Sequence, residues 1–149
     1  LSSVIKIDMK DGNKEKLSGK LNIGLISSSF LLEGPINKGK TSFIVSGRRT
    51  YADILAKPFI KAQTNGESTG GYYFADLNFK VHHVFSSKDK LYWSNYYGRD
   101  KFYANVDDDL SKVKTNLGWG NLTSTLRWNH QLNNKLFANT SLIFSNYSF

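Results

Sequence analysis

Apolar residues recur at every second position over long stretches of this chain, and that pattern excludes most of what 149 residues could otherwise fold into. From Tyr72 to Phe85, Tyr73, Ala75, Leu77, Phe79, Val81 and Phe85 share one face of an extended strand, while Asp76, Asn78, Lys80 and His82 share the other. Leu17, Leu21, Ile23 and Leu25 alternate with Ser18, Lys20, Asn22 and Gly24. Leu122, Leu126, Trp128 and Leu132 alternate with Asn121, Thr123, Thr125, Arg127 and Asn129. Ile5, Ile7 and Met9 do the same ahead of a turn at Asp11-Gly12-Asn13. Helical spacing is hard to find. The chain reads as all-β, an antiparallel up-and-down meander.

The breaks between these runs are of two kinds. Asn37 to Lys40, Ser86 to Lys90 and Asn133 to Lys135 are tight polar turns, and Glu33-Gly34-Pro35 closes the short run Phe30 to Leu32. Ala56 to Gly71, with Pro58 and Asn65-Gly66 inside it, and Ala104 to Thr115 read as long polar loops. Several strands run to about 10–15 residues, against a mode of about 5–6 in soluble sheets. Short turns at one end, long loops at the other and strands of at least about 10 residues are the pattern of an outer-membrane barrel. Alternation is then obligatory, because one face meets lipid and the other a polar interior. Aromatic rings near strand ends, among them Tyr51, Tyr72, Trp93, Tyr97 and Trp119, fit the headgroup girdles of such a barrel. A soluble antiparallel sandwich with one wet face would carry the same alternation.

Site motifs are weak by comparison. Gly34-Pro35-Ile36-Asn37-Lys38-Gly39-Lys40-Thr41 formally matches a phosphate-binding loop. Such a loop must open a helix, whereas Thr41 to Gly47 is a strand by propensity, and Pro35 removes a backbone donor from the cradle. A turn between two strands accounts for the same residues. Asp107-Asp108-Asp109 lacks the alternating oxygen ligands, central Gly and closing Glu of a calcium loop and reads as a solvated outer loop. His82, His83 and His130 have no partners at metal-ligand spacing. Without cysteine there are no disulfides, thiolate ligands or cysteine nucleophiles. No catalytic residue, metal or cofactor is expected, and the chain is not expected to be an enzyme. The formal charge of +8 is spread over turns and strands rather than gathered in a patch, so no nucleic-acid partner is expected.

Beyond these patterns, Leu1-Ser2-Ser3-Val4-Ile5-Lys6-Ile7-Asp8-Met9-Lys10-Asp11-Gly12-Asn13 resembles the stretch that ends the plug domain of TonB-dependent receptors of the Bacteroidetes type. Leu32-Glu33-Gly34-Pro35-Ile36 and Lys40 to Tyr51 resemble the first barrel hairpins of that family. Trp119-Gly120-Asn121 with Leu126-Arg127-Trp128-Asn129-His130 is similar to a later strand. The resemblance implies that residues 1–13 end a plug and residues 14–149 open an incomplete barrel of about seven strands, out of about 22 in the whole. No TonB box, complete plug or closing strand is expected within the chain. Leu17 to Ile26 and Leu136 to Phe149 are then expected to lack native partners. A small complete barrel is the alternative if those two segments pair with each other.

The function so implied is import of a small-molecule or oligomeric nutrient across the outer membrane of a Gram-negative bacterium. The implied partners are the bilayer, the rest of the barrel and plug, TonB acting through the plug, and a surface lipoprotein. A soluble all-β module for glycans or another ligand is the other reading of the same residues. Parity within the membrane reading assigns Phe43, Val45, Tyr73, Leu77, Phe79, Val81, Leu126 and Trp128 to lipid. It assigns Arg48, Asp76, Asn78, Lys80, Arg127 and Asn129, with Ser42 and Ser46, to the lumen or plug. A charge facing the bilayer midplane costs ~2–4 kcal/mol. Leu77→Arg is therefore expected to lower the outer-membrane yield of the full receptor, while Asn78→Arg leaves it unchanged. Equal yields of the two would refute the assignment of faces.

Overall fold

The computed structural model describes residues 9–108 and 111–149. In chain order the elements are β1 (Ser18–Ile23), β2 (Ser27–Asn37), β3 (Thr41–Thr50), α1 (Ala52–Gln63), β4 (Ser68–Val84), β5 (Asp89–Asp108), β6 (Ser111–Gln131) and β7 (Phe137–Ser148). The strands form one antiparallel sheet in sequential order. This is the all-β up-and-down meander that the alternation requires, because tight turns can join only antiparallel neighbours. The expected strand over Ile5 and Ile7, like most of the segment 1–13 and like Asp109, lies outside the described residues.

The strands exceed expectation: β4 has 17 residues, β5 has 20 and β6 has 21. Ala104 to Thr115 is not a long loop. Pairing continues from Ala104↔Thr115 to Asp108↔Ser111, so both strands run almost to the tip of a tight hairpin. Polar residues outnumber Ala104, Val106 and Val113 there, so the stretch reads as a loop by composition, yet β4 continues beside β5 as far as Ser68↔Val106. β2 also outlasts its expected end, running through Glu33 and Pro35 to Asn37 with an irregularity between the last two. The phosphate-loop lookalike is a hairpin turn: Gly39 takes φ 74°, and β3 follows it.

The interval Ala56 to Gly71, read as a loop, holds most of α1 instead. Asp53 in its first turn and Lys61 in its last complement the helix dipole. Pro58, the signal that argued against a helix, sits inside it. The helix is inverted in polarity. Asp53 is buried against the sheet, while Ile54, Leu55 and Phe59 are exposed on the side turned away from it. Close approach is possible because β4 has a glycine at the contact. A Cβ on Gly71 would stand 2.5 Å from the Asp53 Cβ and 2.9 Å from the Tyr103 hydroxyl.

The sheet does not close into a barrel. β1 pairs only with β2 and β7 only with β6, so each expected edge has an inner neighbour and an open outer side, and the two are not paired with each other among the described residues. The register sorts side chains cleanly. Phe43↔Val81, Val45↔Phe79, Leu77↔Tyr97, Trp93↔Leu126, Leu91↔Trp128 and Leu126↔Leu142 stand opposite one another on one face. Arg48↔Asp76, Ser46↔Asn78, Lys80↔Ser94 and Tyr92↔Arg127 stand on the other. α1 lies against the apolar face only at its far end, near Gly71 and Tyr103; Leu77, Trp93, Leu126 and Trp128 remain 41–46% exposed. No helix among the described residues is long and apolar enough to cross a membrane, which says nothing of strands. Gly71→Val should displace α1, since overpacking of a tight contact costs about 1–3 kcal/mol. Faster tryptic cleavage after Lys61, with unchanged β content by circular dichroism, is the expected result.

Candidate functional site

The polar face of the sheet holds a strap made by residues 9–17, which crosses it at the end carrying the three short turns. Several sequence features bring it there. Asp11-Gly12-Asn13 does turn the chain: the Asn13 side-chain oxygen accepts hydrogen bonds from the Glu15 and Lys16 amides at 2.9 and 3.1 Å. Gly12 is buried over β3, where a Cβ would stand 2.0 Å from the Phe43 carbonyl oxygen, so any other residue would push the strap off the sheet. The Gly39 amide of the β2–β3 turn donates to the Lys14 carbonyl at 3.3 Å.

Charged side chains fasten the strap. Lys80 Nζ donates to the Met9 carbonyl at 2.7 Å and pairs with Asp11 Oδ1 at 2.6 Å. Lys10 pairs with the buried Glu33 at 2.9 Å, and Ser18 donates to the same carboxylate oxygen at 3.3 Å. Lys80 is held from below as well, its Nζ lying 5.3 Å from the centre of the Tyr92 ring. The His82 ring stacks on Tyr92 at 4.5 Å with an interplanar angle of 2°, and it is only 3% exposed. Its Nδ1 lies 3.6 Å from Asp11 Oδ2, and neither ring nitrogen has a hydrogen-bond partner among the described residues.

Beside the strap opens a cleft of about 840 Å³, walled by Asp11, Asn78, Lys80, Tyr96, Arg127 and Asn129 among others. Farther toward the long end of the sheet, Arg48 meets Asp76 Oδ2 through Nε at 3.1 Å and Nη2 at 2.9 Å, and its guanidinium covers the Phe74 ring at 4.8 Å. The arrangement is that of a binding wall. It offers hydrogen-bond donors and acceptors and the rings of Tyr92 and Tyr96. Among the described residues no group of three His, Asp or Glu side chains is placed to hold a metal ion.

All six residues assigned to a lumen share this polar face, but they fall into two groups. Asn78, Lys80, Arg127 and Asn129 line the cleft, while Arg48 and Asp76 form their own pair outside it. All eight assigned to lipid share the opposite face, by the same register. The sequence reading missed Asp11, Glu33, His82 and Tyr92 as members of the site. Asp11 and Glu33 sat in stretches read as turns. Glu33 could have been found by parity, since Leu31, Glu33 and Pro35 alternate with Phe30, Leu32 and Gly34. No family model, curated protein or solved structure matches the chain. Asp11→Ala leaves the nearly buried Lys80 ammonium with one partner fewer, at a cost of roughly 1–3 kcal/mol. Amide hydrogen exchange across residues 9–14 should accelerate on the order of tenfold, while exchange in β5 and β6 stays as it was.

Proposed function

We propose that this chain is the wall-forming portion of an outer-membrane β-barrel transporter of the TonB-dependent kind, comprising the end of the plug and the first seven strands. The carrying observation is an open antiparallel meander whose apolar face, among the described residues, is covered by protein only where α1 meets its far end. In water such a face is a large exposed patch of the kind that marks a buried surface elsewhere in an assembly. In lipid it is satisfied, but unpaired backbone groups at the edges β1 and β7 are not, so further strands must complete the ring. A spanning strand needs about 9–11 residues, and the 20 and 21 residues of β5 and β6 leave roughly half of each to project beyond the bilayer.

The opposite face supports the same reading. A lumen wall is polar and water-filled, and it must hold a plug through contacts that can be broken. The strap is held by ion pairs and a few hydrogen bonds, with no interlocking apolar core, so it can be released under load. In the proposed transporter Lys80, Glu33 and His82 seat the end of the plug. Arg127, Asn129 and Asn78 give the wall its polarity, and a hydrophilic nutrient passes along it once TonB has drawn the plug aside. A surface lipoprotein would meet the long ends of β5 and β6. The polar wall suits a hydrogen-bonding cargo better than a lipid-like one, since each of these groups would be left unpaired by an apolar solute.

The test is to follow the complete protein through cell fractionation. It should sediment with the outer membrane, withstand carbonate washing, require detergent for extraction, and migrate differently on a gel before and after boiling. Release into the soluble fraction by carbonate would overturn the membrane reading.

A further inference from the structure

On the apolar face of the sheet, the aliphatic and aromatic band gives way abruptly to cations. Arg49 on β3 and Arg99 on β5 stand in one cross-strand row, separated only by Ala75, which puts them about 10 Å apart at two strand spacings. Lys101 follows Arg99 on the same face, beside Gly118 of β6, and Gly120 flanks Arg99. One row farther, α1 lays Lys57 Nζ over the Tyr103 ring at 5.8 Å. Ala75 and Tyr73 of β4 separate Arg49 from Arg99 and Lys101, and Gly120 and Gly118 leave the β6 side of that pair without side chains, so four positive groups gather at this level of the face. Arg49 and Arg99 are exposed, and Arg49 lies over the Tyr73 ring at 5.2 Å.

Charge on this face is one-sided. Among the described residues, no acidic side chain shares the sheet face between the Leu91↔Trp128 row and the Tyr103↔Asn116 row. Neither Arg49, Arg99 nor Lys101 makes an ion pair there with a described residue. Asp53, which α1 brings close, is buried and takes a hydrogen bond from the Tyr103 hydroxyl at 3.4 Å. Below the cations, Val81, Trp93, Leu126, Leu142 and Phe144 line an apolar groove of about 500 Å³ on the same face. From Arg99 down to Trp93 is about 20 Å of extended strand, close to the depth of one leaflet of hydrocarbon.

From this juxtaposition we infer that the face carries a binding site for a phosphorylated glycolipid of the outer leaflet. The headgroup phosphates sit among Arg49, Arg99, Lys101 and Lys57, and an acyl chain descends toward the Trp93 groove. The inference rests on the membrane reading above. A row of cations at the outer edge of a lipid-facing band meets headgroups there, and guanidinium groups bind phosphate through paired donors. The site would tie the barrel wall to its leaflet and fix the height at which the strands stand in it.

The experiment uses the complete protein purified in detergent and reconstituted into phosphatidylcholine nanodiscs with lipid A, with dephosphorylated lipid A, or with neither. Bound glycolipid is counted by native mass spectrometry. Wild-type protein should retain lipid A, and R49Q/R99Q/K101Q should retain at least tenfold less. K38Q/K88Q/K135Q removes as many charges from the short-turn end and should stay within twofold of wild type. Equal retention of lipid A and its dephosphorylated form would overturn the inference, as would equal loss in both triple variants. Displacement of lipid A by free inorganic phosphate at comparable concentration would show a simple anion site and overturn the lipid assignment. A protein that reconstitutes normally but fails these comparisons refutes only this site. One that needs no detergent refutes the membrane reading beneath it.

Discussion

An antiparallel sheet that is apolar on one side and polar on the other must have something over the apolar side, and every other feature of this molecule follows from what that cover is. In a soluble sandwich the cover is a second sheet or a helix layer from the same chain. Here α1 touches the sheet at one end, through Gly71 and Tyr103, and turns Ile54, Leu55 and Phe59 outward. The band from Phe43 through Leu77 and Trp93 to Leu142 is left open. In the proposed transporter lipid is that cover, and it in turn demands that the backbone at β1 and β7 find partners in further strands.

The two faces divide the work accordingly. Contacts along the middle of the apolar side are made mainly by carbon and by aromatic rings, such as the edge-to-face pair of Phe79 and Trp93 at 5.7 Å, with the Trp93 indole N–H donating to Ser124 at 3.1 Å. The polar side is built from groups that water can replace: Lys80 with Asp11, Lys10 with Glu33, Arg48 with Asp76. Ion pairs that are partly open to solvent contribute modestly to stability and give up their partners at little cost when water can take over. That property is a weakness in a core and, under the proposed function, an advantage in a seat for a segment that has to leave it. His82 is the exception, stacked on Tyr92 and closed off from solvent, and it makes the middle of the seat firmer than its rim.

Parts of this arrangement were legible in the chain because they rest on strictly local rules. A period of two sets which residues share a face, and no tertiary contact can change parity without a bulge. Phe43 with Val45, and Asp76 with Asn78 and Lys80, therefore fell on the expected sides. The hairpin at Lys38–Lys40 was equally readable, since Gly39 supplies the positive φ that the turn needs. α1 carries an apolar stripe at helical spacing in Ile54, Leu55 and Phe59, and it was hidden because the breaking residues around it outweighed that stripe. Pro58 and Asn65-Gly66 then read as punctuation of a loop. The length of β5 and β6 was hidden for a related reason. Polar residues crowd out the alternation around Ala104 to Thr115, so the stretch looks like a loop although β4 pairs with β5 as far as Val106.

The amino-acid order alone determined the fold class, the sequence of tight turns and the division into two faces, because alternation and turn chemistry act over a few residues. Tertiary structure decided that the sheet stays open, that residues 9–17 fold back over the polar face, and that Glu33, His82 and Tyr92 meet Asp11 and Lys80 there. Those outcomes join residues as far apart as Met9 and Lys80. No local pattern encodes such a distance; it is set by register added strand by strand across the sheet.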